Sequence, residues 1–299
     1  MSHRRPSVSA VARTPSAEYL ILDIETVPDT DRWQRPDLAN GGEPSFPPTW
    51  AHRIIVIGCL WLGHDYQLKR FGVIGGEPVA GAAPAAGAAP PEPDVGASGS
   101  PADHRERALL EDFSRFVGRA RPVLVTYNGR SFDLPVIVMR SLCHAIALPW
   151  YYRDRDVRYR YSAEGHLDLC DWLAEHGAAR AGKLDAIARL IGLPGKTGVD
   201  GSQVEGLYRA GQLASIESYC LGDVAQTALL FLRFRLLQGQ IAPDAYRERT
   251  TALVDALAAD GRVTEVFDQL SRERLLGPPP PPAGPPATEI GDTRGASEA

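Results

Sequence analysis

Asp23 and Glu25 close an apolar run, Tyr19-Leu20-Ile21-Leu22-Asp23-Ile24-Glu25, and stand at i and i+2. Side chains alternate faces along a strand, so both carboxylates emerge on one face at the strand's C-terminal end. Two acids that close repel each other, and partial burial raises the cost of ionising both. A divalent cation removes the conflict by reversing the local electrostatics. Taken alone, the pair is better read as a strand end with two solvated acids.

Two later blocks add ligands. In Thr126-Tyr127-Asn128-Gly129-Arg130-Ser131-Phe132-Asp133, the Asn-Gly pair marks a turn and Asp133 falls at the start of a helix. In Glu217-Ser218-Tyr219-Cys220-Leu221-Gly222-Asp223, the tyrosine and the aspartate are at i and i+4, on one helix face. Gly222 weakens that helix by roughly 1 kcal/mol relative to alanine, which fits either a close approach to its surface or neutral drift. Four acids and a tyrosine suit two-metal phosphodiester hydrolysis. Hard oxygen ligands favour Mg²⁺ or Mn²⁺, and two ions roughly 3.5–4 Å apart brace the phosphate, activate water and stabilise the leaving oxygen.

Asp23-x-Glu25, Asn128-x4-Asp133 and Tyr219-x3-Asp223 together resemble the three motifs of the DEDDy 3′–5′ exonucleases, a ribonuclease H-like group. The chain is most similar to stand-alone proteins related to the proofreading domain of family B DNA polymerases. The blocks around His166-Leu167-Asp168, Lys183-Leu184-Asp185, Gly192-Leu193-Pro194-Gly195-Lys196 and Asp200-Gly201-Ser202-Gln203-Val204 carry the rest of the likeness. The resemblance implies that Asp23, Glu25, Asp133 and Asp223 hold two divalent cations, with Asp23 bridging them. It implies that Tyr219 orients the attacking water, since a phenol of pKa near 10 is a poor base at neutral pH. Asn128, Phe132, Thr26 and Lys196 become candidate substrate contacts. Ser218 stands where the sister class has a histidine, which selects the tyrosine subclass. The expected partner is nucleic acid, single-stranded DNA favoured and RNA possible. Leu221-Gly222 departs from the polar pair expected before the last aspartate, and a long insert interrupts the minimal domain.

The elements that position these residues are legible from periodicity. Residues 53–62 and 66–73 predict strands after the Asp-x-Glu strand, and residues 105–119 predict a helix with Leu109, Leu110, Phe113, Phe116 and Val117 on one face. Residues 122–126 predict a short buried strand and 132–146 a helix, with the rest mostly helical from 166 to 276. This order implies an α/β fold, a ribonuclease H-like mixed sheet flanked by helices with extra C-terminal helices. The expected organisation is a nuclease domain over 18–240 and a helical extension over 241–276. An unstructured Ala/Pro/Gly insert at 76–103 and disordered segments at 1–17 and 277–299 complete it.

Composition sets the outer bounds. With 299 residues, 44% hydrophobic, and a net charge of −5, the chain offers no global field for a polyanion, so any nucleic-acid contact must be local. Four scattered cysteines and the absence of a membrane-length apolar run point to a reducing, cytoplasmic setting without a membrane. Gly195-Lys196-Thr197 lacks the spacing of a phosphate-binding loop. Asp168 is expected to cap the helix that follows it. Arg153, Arg155, Arg158 and Arg160 interleave with Tyr151, Tyr152, Tyr159 and Tyr161, which fits either a single-strand stacking surface or a salt-bridged β-ribbon.

Overall fold

The computed structural model describes residues 17–36, 46–75, 100–195 and 201–278. Among the described residues five strands form one sheet: β1 (Tyr19–Pro28), β2 (His52–Leu62), β3 (Leu68–Val73), β4 (Val123–Thr126) and β5 (His166–Asp168). Their spatial order is β3-β2-β1-β4-β5, antiparallel across β3, β2 and β1 and parallel across β1, β4 and β5. The fold is the expected mixed sheet with flanking helices.

The helices are α1 (Pro101–Ala120), α2 (Asp133–Cys143), α3 (Pro149–Arg153), α4 (Arg155–Arg158), α5 (Leu169–Leu173), α6 (Leu184–Leu190), α7 (Val204–Arg209), α8 (Leu213–Leu237), α9 (Pro243–Ala258), α10 (Thr264–Asp268) and α11 (Arg272–Leu276). β1 alternates between two cores, as a strand buried on both faces must. Leu20, Leu22 and Ile24 pack with residues of α1 and α2, whereas Tyr19 and Ile21 pack with α8 and the helices behind it. Tyr246, Leu253, Val254 and Leu257 of α9 join that second core.

Three readings need correction. Residues 100–103 do not belong to an unstructured insert. Ser100 caps α1 in a reciprocal capping box with Asp103, and Pro101 occupies the first turn. The Ser-Pro-Ala-Asp signal was blurred by the Ala/Pro/Gly composition before it. The tyrosine–arginine stretch is no β-ribbon, since it folds into α3 and α4. The stretch from 166 opens with a strand, β5, before the helices begin. The expectations for 1–16, 76–99 and 279–299, and for Lys196, fall outside the described residues.

Candidate metal and nuclease site

The β1–β4 register ends at Ile21–Val125, while β1 runs on to Pro28. β1 therefore continues past its parallel neighbour and exposes an edge. The Ile24 N–H on this stretch donates to Asp133 Oδ1 at 3.2 Å, so the first residue of α2 docks where a strand partner is missing. Asp23 and Glu25 continue the row of Tyr19 and Ile21 and so face α8. A register shift between Glu25 and Thr26 then turns the strand.

α8 reaches the same place from the other side. Its stripe Ile216, Cys220 and Val224 is fully buried against the sheet. Close approach is possible because β2 has Gly58 opposite Asp23, where an added Cβ would lie 2.7 Å from Cys220 Sγ. Gly222 faces the other way: a Cβ there would sit 3.3 Å from a methyl of Val266 of α10, a tight contact with a side chain.

Asp23, Glu25, Asp133, Asp223 and Tyr219 are thus electrostatic neighbours. Burial pushes the Asp23 carboxyl well up, and the charges of Asp133, Glu25 and Asp223 push it further. The Cys220 thiol acts the other way, with Sγ 3.5 Å from Asp23 Oδ2. Burial raises Asp133 to about 7, with the charge of Asp168 adding to the shift and the backbone N–H of Ile24 opposing it. Tyr219 is also raised, first by burial and then by Asp223, Glu25 and Asp23, so its phenol stays protonated.

The turn before Asp133 is held by a residue expected only to cap a helix. Asp168 does cap α5, accepting from Cys170 N at 3.0 Å. It also accepts from Asn128 N and Arg130 N, each at 2.8 Å. Asn128 is exposed with φ of 68°, in the left-handed region that asparagine tolerates. At Gly129 a Cβ would lie 2.5 Å from the Thr126 side chain, so only glycine allows the chain to fold back there.

Beside this turn, Phe132 contacts the His52 ring edge-on at 5.0 Å and Phe46 at 6.0 Å, and Phe46 is 72% exposed. His52 Nε2 lies 2.9 Å from the Pro47 carbonyl and so must donate to it. Burial lowers the His52 pKa, so the ring is neutral and Nδ1 accepts from the Thr26 hydroxyl, 2.9 Å away.

The structure therefore brings Asp23, Glu25, Asp133, Tyr219 and Asp223 together, with Thr26, Asn128 and Phe132 beside them. Two residues escaped sequence reasoning. Cys220 could have been found from the i, i+4 stripe of Ile216, Cys220 and Val224. His52 has no such signal, because only the pairing of β1 with β2 brings it to Thr26.

The donor set fits a divalent cation. Ligating atoms of Asp23, Glu25 and Cys220 all lie within 4.8 Å of one another. Carboxylates that raise one another's pKa gain from a cation that reverses the local field. A second group, Asp103, Glu106 and His144, is as compact. Arginines already fill it, with Arg140 Nη2 2.6 Å from Glu106 and Arg53 Nη2 3.2 Å from Asp103.

Three comparisons bear on the chain. A 134-residue stretch is 25% identical to the catalytic polypeptide of DNA polymerase epsilon from Schizosaccharomyces pombe, covering 43% of this chain and 6% of that one. The family B DNA polymerase of the hyperthermophilic archaeon Pyrobaculum calidifontis superposes with a TM-score of 0.47 and 16% identity. That match covers 81% of this chain and 29% of the polymerase. Residues 44–271, most of the chain, match a family model; the matched span starts after β1 and includes Asn128–Asp133 and Tyr219–Asp223. The chain belongs to that family, the predicted 3′–5′ exonucleases related to the exonuclease domain of PolB.

Proposed function

We propose that the protein is a metal-dependent 3′–5′ exonuclease that releases nucleoside monophosphates from single-stranded DNA. The observation that carries the reading is the upward shift of Asp23 under burial and the charges of Asp133, Glu25 and Asp223, which crowd several acids onto one site. Asp23, Glu25, Asp133 and Asp223 would hold two divalent cations, Mg²⁺ or Mn²⁺. When bound, such ions supply Lewis acidity toward the phosphate and make water a better nucleophile.

The remaining roles belong to the chain itself. Tyr219, kept protonated, orients water by hydrogen bonding rather than by removing a proton. Phe132 offers a ring face or edge to the terminal base, and Phe46 extends the same aromatic wall. Asn128 presents its amide from an exposed turn. The Thr26 hydroxyl gives its proton to His52 and keeps its lone pairs for a donor on the substrate. Lys196 is assigned a phosphate contact on sequence grounds alone. The nuclease domain is taken as 18–240, with 241–276 as a helical extension packed on α8.

The test uses 5′-labelled single-stranded DNA and RNA with Mg²⁺, Mn²⁺ or EDTA, beside Asp23→Ala. A metal-dependent ladder on DNA that the variant loses supports the proposal. Faster degradation of RNA replaces the substrate with RNA 3′ ends. No cleavage of either strand by the unmutated protein overturns the reading in favour of a silenced nucleic-acid scaffold.

A further inference from the structure

The segment between α2 and β5 carries exposed aromatic and cationic side chains that no step above uses. Tyr152, Tyr159 and Tyr161 are 56%, 44% and 57% exposed. The Arg158 guanidinium lies 5.4 Å from the Tyr152 ring, and that of Arg155 lies 5.0 Å from the Tyr159 ring. Large exposed aromatics interleaved with arginines are what a strand of stacked bases and phosphates requires.

A cavity of about 360 Å³ adjoins them, within the range of small-ligand pockets. Val117, Leu124 and Trp150 supply apolar lining, and Arg121, Arg153 and Arg155 supply cations. None of these three arginines has a carboxylate partner among the described residues. Asp154 and Glu164 also line the cavity, but the Asp154 carboxylate is engaged with the Asp156 N–H at 2.9 Å as the cap of α4. Arg160, by contrast, is committed to Asp171.

The two features connect to the acidic site through one residue. Arg130, in the turn that Asp168 holds, donates to the Arg158 carbonyl at the end of α4 at 3.1 Å. α4 therefore runs from the cavity to the Asn128–Asp133 turn. Leu124 of the cavity lining and Asn128 lie four residues apart, at most roughly 14 Å of extended chain.

We propose that α3, α4 and the adjoining cavity form a track for the single-stranded polynucleotide that feeds the acidic site, with one nucleotide unit seated in the cavity. This rests on the nuclease reading above. It assigns the local positive charge that a chain of net charge −5 needs for a polyanion.

The experiment measures binding of oligonucleotides of about 4 and about 16 nucleotides, DNA and RNA, to the full chain in EDTA. In the unmutated protein the long strand binds more tightly. With Tyr152→Ala and Tyr159→Ala combined, that advantage falls roughly tenfold. The paired phenylalanine variants, which keep the rings, retain it. With Arg153→Gln and Arg155→Gln combined, the slope of log K against log salt falls by about 1.4 for the long strand.

Equal loss for both lengths, or no loss, in a protein that still cleaves would overturn the track while leaving the nuclease reading intact. An unmutated protein that neither binds nor cleaves polynucleotide overturns both. Competition by polyglutamate as effective as that by polynucleotide overturns the track in favour of an acidic protein partner.

Discussion

Two groups of acids gather at the C-terminal end of β1, and their electrostatics run in opposite directions. Asp23 and Asp133 are both raised, first by burial and then by neighbouring acids, Asp133, Glu25 and Asp223 for the one and Asp168 for the other. Asp29, just beyond the strand, is fully buried yet lowered. Burial works to raise it, and the hydrogen bonds and charges of Arg140, Arg53 and Arg32 outweigh that effect. Glu106 is lowered in the same way by His144, Arg140 and the Ile54 N–H. Arg140 is itself fully buried and bridges the two acids, 2.7 Å from Asp29 and 2.6 Å from Glu106. One group is neutralised by the chain's own cations and reads as structure. The other holds carboxyls that burial and neighbouring acids push up, a pattern that binding of an external cation would reverse.

The contrast can be broken most sharply by Asp23→Ala. Cleavage should fall about 10³-fold or more, since a lost cation contact removes several kcal/mol of transition-state stabilisation. Thermal stability of the metal-free protein should hold or rise. A large loss of stability would show that Asp23 belongs to the structural group instead.

Arg140→Ala tests the opposite pole. Stranding Asp29 and Glu106 in the interior should cost about 3–5 kcal/mol, measured by denaturant unfolding. A neutral outcome would remove the distinction between the groups.

Metal titration separates them by pH. Saturating Mg²⁺ or Mn²⁺ should stabilise the protein by about 2.7 kcal/mol at a hundredfold excess over Kd, reversed by EDTA and absent in Asp23→Ala. Asp133 has a folded pKa of about 7, above its unfolded value near 3.9, so its ionisation destabilises the metal-free fold as pH rises between them. The gain from metal should therefore be larger above pH 7 than at pH 5. Asp103 has the reverse sign. Burial works to raise it, yet Arg32 and Arg53 hold it at about 2. Its contribution is present above the unfolded value and is lost as pH falls from about 4 towards 2. Melting curves across both windows, with and without metal, check the two signs.

The smallest expected effect is that of Tyr219→Phe. Loss of one orienting hydrogen bond should lower cleavage about tenfold and leave the metal-induced stabilisation unchanged. Loss of that stabilisation would make Tyr219 part of the cation site rather than a guide for water.

The contrast also explains what could be learned from the chain alone. Asp23-x-Glu25, the turn before Asp133 and the Tyr219–Asp223 face are local patterns, set by strand and helix periods, and each was legible in one dimension. The buried run of β1 and the apolar face of α1 were legible for the same reason. Asp168 was only half legible: its cap on α5 is local, but its grip on Asn128 and Arg130 depends on the parallel pairing of β4 with β5. The Arg140 network was invisible, because Asp29, Glu106 and Arg140 are far apart in sequence and nothing in their spacing announces a meeting. His52 was unread for that reason too. The short helices α3 and α4 hid behind an alternation of tyrosine and arginine that imitates a strand.

Gly58 carries a consequence for redesign of this protein. The clearance between α8 and β2 opposite Asp23 is set by a missing side chain, since even a methyl group would meet Cys220 Sγ at 2.7 Å. A dimension defined by an omission has no smaller setting. Attempts to widen the cleft for a larger ion should start at Gly58, where alanine acts as a wedge, and attempts to narrow it must begin elsewhere.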